Sequence, residues 1–138
     1  MIITLILIVL LAVGFGYFFL AGNNKQSLAE SKLNLSPQVD NRAGISFTVK
    51  PINFDLESPV EFAIKADTHS GSLDFDLTLI SVLQDDKGNE YQPLIWQGDP
   101  AGGHHLAGTL FFPKTNNQTK TIKLTIQDAY LRVFEWEL

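Results

Sequence analysis

The sequence predicts an all-β body, an antiparallel β-sandwich of about seven strands, preceded by one N-terminal transmembrane helix. Three observations predict it: an uncharged apolar run over residues 2–21, a polar stretch without period over residues 22–44, and apolar side chains at alternate positions from Ile45 onward. The first 24 of the 138 residues carry no charge, and the rest carry all 10 basic and all 15 acidic groups. The chain therefore divides into a greasy leader and a polar, acidic body.

From Ile2 to Ala21 the only hydroxyls are Thr4 and Tyr17. Twenty residues at about 1.5 Å rise reach about 30 Å, the thickness of a hydrocarbon core. Tyr17, Phe18 and Phe19 then fall near one interface, where aromatic rings are favoured. A cleaved signal peptide needs a basic start, a shorter apolar run and small residues before the cut. Here no basic residue precedes the run, so an uncleaved signal anchor is expected over residues 1–21. Leu20-Ala21-Gly22 resembles the start of a lipoprotein box, but Asn23 stands where the cysteine is required, which excludes lipidation there.

Lys25 and Lys32 follow the run and give a slight bias toward a cytoplasmic C-terminus. Long domains translocate largely regardless of so small a bias. The expectation is a cell-membrane, single-pass protein with its C-terminal domain extracytoplasmic. Residues 22–44 lack sustained periodicity and read as a flexible stalk.

In the body, over residues 45–138, Ile45, Phe47 and Val49 alternate with polar neighbours until Pro51 interrupts the strand at an edge or bulge. Val60, Phe62, Ile64 and Ala66 define a second strand, and Phe75, Leu77 and Leu79 a third that runs on to Val82. Tyr91 to Trp96 forms a fourth run and His105 to Phe112 a fifth. Ile122, Leu124 and Ile126 mark a sixth, and Phe134, Trp136 and Leu138 a seventh whose Glu135 and Glu137 face solvent. Seven such strands without a competing helix point to an immunoglobulin-like sandwich.

The absence of cysteine excludes disulfides, thiolate metal sites and a cysteine nucleophile. From Ile45 onward, 7 basic groups face 13 acidic ones, a balance of −6 that repels a phosphate backbone and argues against nucleic acid. The cluster Asp85-Asp86-Lys87-Gly88-Asn89-Glu90 is too short for a 12-residue calcium loop and reads as a hairpin turn around Gly88. Asp67, His69 and Ser72 lie in one polar turn without a nucleophile elbow, so no hydrolase is expected and the chain is read as not an enzyme. Two sequons, at Asn34 and Asn117, are common chance triplets.

The least ordinary stretch is Trp96-Gln97-Gly98-Asp99-Pro100-Ala101-Gly102-Gly103-His104-His105. Asp-Pro before Gly-Gly makes a turn that takes positive φ or passes close to another group. Trp96, Asp99, Gly102 and Gly103 are the candidate partner-binding residues. The alternative is a copper or zinc site built from His69, His104, His105 and Asp67, since neutral imidazoles bind both metals. Adjacent strand residues point to opposite faces, so His104 and His105 share a metal only if a bulge or loop re-aims one.

This loop, with Asp67-Thr68-His69-Ser70-Gly71-Ser72-Leu73-Asp74 and the closing Arg132-Val133-Phe134-Glu135-Trp136-Glu137-Leu138, resembles a prokaryotic family of small exported or membrane-anchored β domains with no assigned activity. The resemblance covers about Ile45 to Leu138 and implies an exported β domain, without catalytic residues. Members tend to carry a basic residue after the histidine pair, where this chain has Leu106. The resulting expectation is a domain held by the membrane through residues 2–21 that binds or scaffolds another envelope protein without a cofactor, with metal handling as the alternative.

Overall fold

Side chains that alternate in polarity give each strand one apolar face, and two sheets bring those faces together. The computed structural model describes residues 35–54 and 57–138 of the chain. Within them nine strands form two antiparallel sheets: β1 (Gln38–Arg42), β2 (Ile45–Asn53), β3 (Val60–Thr68), β4 (Ser81–Asp85), β5 (Glu90–Tyr91), β6 (Ile95–Gly98), β7 (His105–Phe112), β8 (Thr121–Gln127) and β9 (Leu131–Glu137). One sheet has the order β1-β2-β3-β7-β6 and the other β5-β4-β8-β9. The expected transmembrane helix over residues 1–21, and most of the expected stalk, lie outside the described residues. Among the described residues no helix is long and apolar enough to cross a membrane.

The inward residues of both sheets form one core. Phe47, Val49, Phe62, Ile64, Leu110 and Phe112 from the first sheet meet Leu83, Ile122, Leu124, Ile126, Phe134 and Trp136 from the second. Trp136 packs its ring 5.5 Å from that of Phe62, and its Nε1 donates to the Ser36 carbonyl at 2.9 Å. Glu135 and Glu137 beside it are exposed, as the alternation requires.

Four expectations are corrected. The stalk over residues 22–44 ends sooner than expected, because Gln38–Arg42 is a strand paired in register with β2 from Gln38–Val49 to Arg42–Ile45. Its side chains do not alternate in polarity, so period two could not reveal it; a two-residue turn closes the hairpin, with Ala43 at φ 52° and Gly44 at φ 79°. The third run begins as one helical turn, α1 (Leu77–Ile80), because Asp76 Oδ1 caps it, accepting from the Thr78 N–H at 2.8 Å and the Thr78 hydroxyl at 2.7 Å. The single strand expected from Tyr91 to Trp96 is two, one in each sheet, separated at Gln92–Leu94. With these changes the count rises from about seven to nine. At Pro51 the β2–β3 register shifts before Asn53, and β1 has already ended opposite Val49, so the missing proline N–H faces no ladder.

The hairpin at Asp85 forms as expected. Its carboxylate accepts from the N–H groups of Lys87 and Asn89, both at 2.9 Å, from Asn89 Nδ2 at 2.8 Å and from the Tyr91 hydroxyl at 3.0 Å. Burial raises the Asp85 carboxyl, but these donors outweigh it and hold it below the usual carboxylate range.

The margins of the two sheets at β1 and β9 are tied through side chains. Arg132 is fully buried, and its three nitrogens donate to both oxygens of Asp128, to Asp40 Oδ1 at 2.9 Å and to the carbonyls of Asp40, Arg42 and Ile45. The guanidinium carbon lies 4.7 Å from the centre of the Phe47 ring. Gln38 donates to the Glu135 carbonyl and accepts from its N–H, while Arg42 donates to the Leu131 carbonyl at 2.9 Å.

Two outcomes follow. Trp136→Ala is expected to destabilise the body by about 3–5 kcal/mol, the usual loss for a buried large aromatic, and a urea titration showing less than about 1 kcal/mol would place β9 outside the core. Asp128 is raised by burial but lowered further by Arg132 and the Tyr130 N–H, and Asp40 is lowered chiefly by Arg42 with help from Arg132. Because both folded values are depressed, their contribution is complete above the unfolded carboxylate value of about 3.9 and is lost as pH falls through the lower folded values. Arg132→Met should therefore cost about 3–5 kcal/mol at pH 7 and flatten the decline in stability between pH 5 and pH 2.

Candidate functional site

The Gly-rich loop joins β6 to β7 and is held from three sides. Asp99 closes its neck: its N–H donates to the Ala107 carbonyl at 3.0 Å, its Oδ2 accepts from the Ala107 N–H at 2.9 Å, and its carbonyl accepts from Trp96 Nε1 at 2.8 Å. Gly98 and Gly108 face each other below it. A Cβ on either would lie 2.5–2.6 Å from the other's Cα and within 2.7 Å of Trp96 Cζ2, so only glycine lets the indole lie across this pair.

The loop tip docks on the β3–α1 connection. The Gly102 N–H donates to the Leu73 carbonyl at 3.0 Å, the Leu73 N–H to the Gly103 carbonyl at 2.9 Å, and the Thr68 N–H to the His104 carbonyl at 2.9 Å. Gly102 and Gly103 sit at φ 117° and 72°, which explains the glycine pair. Trp96, Asp99, Gly102 and Gly103 thus build the loop through their backbone or through local hydrogen bonds, and only Trp96 among them also faces a cleft.

Of the four candidate metal ligands, the structure brings together Asp67 and His105. They are cross-strand partners on β3 and β7, with His105 Nδ1 and Asp67 Oδ1 2.6 Å apart. Lys65 Nζ lies 3.0 Å from the other Asp67 oxygen, and the carboxyl is lowered first by the His105 hydrogen bond and then by Lys65. His104 enters the network through its carbonyl, and both it and His69 are exposed. Among the described residues no three His, Cys, Asp or Glu side chains are grouped to hold a metal ion. Ser46 is also in this row, opposite Asp67, but the aspartate stands between serine and histidine, the wrong order for a nucleophile and its base.

Sequence reasoning missed a second feature. An open cleft of about 410 Å³ runs between α1 and β6, lined chiefly by Phe75, Leu77, Leu94, Ile95, Trp96 and Leu106. At this margin Leu79, Leu94 and Ile95 are 81%, 60% and 49% exposed. The available signal was the apolar run Leu77-Thr78-Leu79-Ile80, which exceeds what one strand face buries, and the unbroken Pro93-Leu94-Ile95-Trp96. A second cleft, of about 370 Å³, lies among Gln84, Asp85, Thr121, Lys123 and Glu135 and is polar.

No protein-family model, curated protein or solved structure matches this chain.

Gly108→Ala is expected to destabilise the body by about 1–3 kcal/mol, the range for overpacking, and to change Trp96 fluorescence, because the new methyl group meets backbone on β6. An unchanged urea midpoint would contradict the close approach. For metal, the expected result is zinc or copper binding no tighter than micromolar at neutral pH. Submicromolar, stoichiometric binding that disappears in both His69→Ala and His104→Ala would reverse that expectation.

Proposed function

We propose that this chain is a membrane-tethered, extracytoplasmic domain that binds or scaffolds another protein of the cell envelope and is not an enzyme. The observation that carries the binding reading is the cleft between α1 and β6. Leu94 and Ile95 leave apolar surface in water along its lining and Leu79 does so on the adjoining α1; Val39, Ile52, Tyr130, Leu131 and Val133 are also exposed, but none of them lines this cleft. Contiguous apolar surface around a cleft is characteristic of a partner site. The tether reading draws its support from the uncharged run over residues 2–21.

We further propose that the sandwich has an immunoglobulin-like topology. Its support is the strand order: β2-β3-β7-β6 facing β5-β4-β8-β9 corresponds to strands A-B-E-D facing C′-C-F-G, with β1 as an added margin. A second reading, histidine-based copper or zinc handling, draws on the Asp67–His105 contact, since a carboxylate on one imidazole nitrogen is the usual support for a metal on the other.

The full chain is expected to sediment with membranes and to resist carbonate extraction, with protease reaching the body from the extracytoplasmic side only. A mature protein beginning near Asn23 would overturn the anchor. For binding, a photo-crosslinker at Leu94 should trap an envelope protein that one at Thr121, beside the polar cleft, does not.

A further inference from the structure

We infer that the cleft beside β6 receives an extended segment of a partner protein that has apolar residues at alternate positions and a lysine or arginine among them, and that this segment adds to the β6 edge as a further strand. The inference rests on the binding reading above and specifies the ligand of that same site.

Four margins are available in the two sheets, and three are closed or short. β1 and β9 are tied to each other by Gln38, Arg42 and Arg132. β5 has two residues. β6 has four, ends its sheet, and between Ile95 and Gly98 carries none of the lysines or prolines that blunt an edge.

The backbone of β6 is set out for pairing. In an antiparallel ladder, residues that exchange hydrogen bonds with one neighbour alternate with residues that face the other way. The Asp99 N–H bond to the Ala107 carbonyl sets the phase, so Ile95 and Gln97 turn their polar groups to β7 while Trp96 and Gly98 turn theirs to the open margin. The close Cα approach of Gly98 to Gly108 agrees, since that is the geometry of the pair that exchanges no hydrogen bonds. Two outward residues, spaced by one, offer the ladder that a strand addition uses, and Leu94, Phe75 and Leu77 offer the apolar contacts for alternate side chains.

Charge selects the occupant. Near the cleft the chain from Leu73 to Gly103 places the acids Asp74, Asp76 and Asp99 and no cation; its other charges, Asp85, Asp86, Lys87 and Glu90, belong to the β4–β5 hairpin. Lys87 is in the distant hairpin, where it donates to Gln118 at 3.1 Å. Asp76 lines the cleft itself. A body with a balance of −6 from Ile45 onward repels a second copy of itself and an anionic lipid surface, whereas a segment with a lysine or arginine is attracted.

The test uses the full chain in nanodiscs of phosphatidylcholine and a displayed library of random ten-residue peptides. Sequences enriched on the wild-type chain relative to a Leu94→Gln, Ile95→Gln variant should alternate apolar residues and include lysine or arginine. A synthetic peptide from that set should shift the amide resonances of Trp96 and Gly98, and should bind at least tenfold more weakly when alternate amides are N-methylated or its cations are replaced by glutamate. Enrichment of acidic sequences, or N-methylated peptide that binds equally well, overturns strand addition while leaving the cleft as a binding site. No enrichment over the double variant overturns both this inference and the binding reading, whereas self-association of the wild-type chain that the double variant abolishes overturns the inference in favour of a second copy and leaves the cleft as a binding site.

Discussion

A single guanidinium organises one whole side of this molecule. Arg132 stands at an inward position of β9 where the alternation calls for an apolar residue, and it is fully buried there. Such a group is tolerable only if every donor finds an acceptor, because an unpaired buried charge costs several kcal/mol. The chain meets this condition by bringing two turns to it. The β8–β9 turn supplies Asp128, and the β1–β2 hairpin supplies Asp40 together with three carbonyls. The position of β1 follows from this requirement, and so does the closure of the sandwich on that side. With β1 fixed, Gln38 reaches Glu135 and Ser36 reaches Trp136, so the polar anchor and the apolar core hold the same two strands.

The opposite side is built on another principle. There the sheets are joined by α1 and by a loop whose turns depend on glycine rather than on charge. Asp99, the Gly98–Gly108 contact and the bonds from Leu73 fix the loop without apolar burial. Leu77 and Leu106 reach the core from this margin, whereas Leu79, Leu94 and Ile95 are not required by it and remain in water. The unequal treatment of the two sides is what gives the molecule one closed flank and one open one.

How much of this the sequence disclosed depends on the kind of force involved. Strands that bury one face, such as β3, β7, β8 and β9, announce themselves by alternation, and Trp136 could be placed in the core from its two glutamate neighbours. β1 was invisible because its place is set by bonds from Arg132 and Gln38 to partners 90 to 97 positions away on the other margin. α1 was read as strand because Phe75, Leu77 and Leu79 alternate with Asp74, Asp76 and Thr78, and one capping carboxylate outweighed that pattern. The loop was legible as unusual from its glycines and histidines, but its chemistry was not. Pairing of Asp67 with His105 depends on the register of β3 with β7, which no local pattern encodes.

The order of the five-stranded sheet has a mechanical consequence. β1, where the described chain begins, and β6, beside the open cleft, are the two outer strands of the same sheet. Tension applied between Gln38 and a segment held at β6 runs along the β1–β2, β2–β3, β3–β7 and β7–β6 ladders in turn, while the ties of Gln38, Arg42 and Arg132 between β1 and β9 pass part of it into the other sheet. The weakest of those four seams then sets the load that path can transmit, and the shortest of them is the four-residue contact of β6 with β7. Along that path the bonds of Asp99 to Ala107 extend the shortest seam by one residue at its neck.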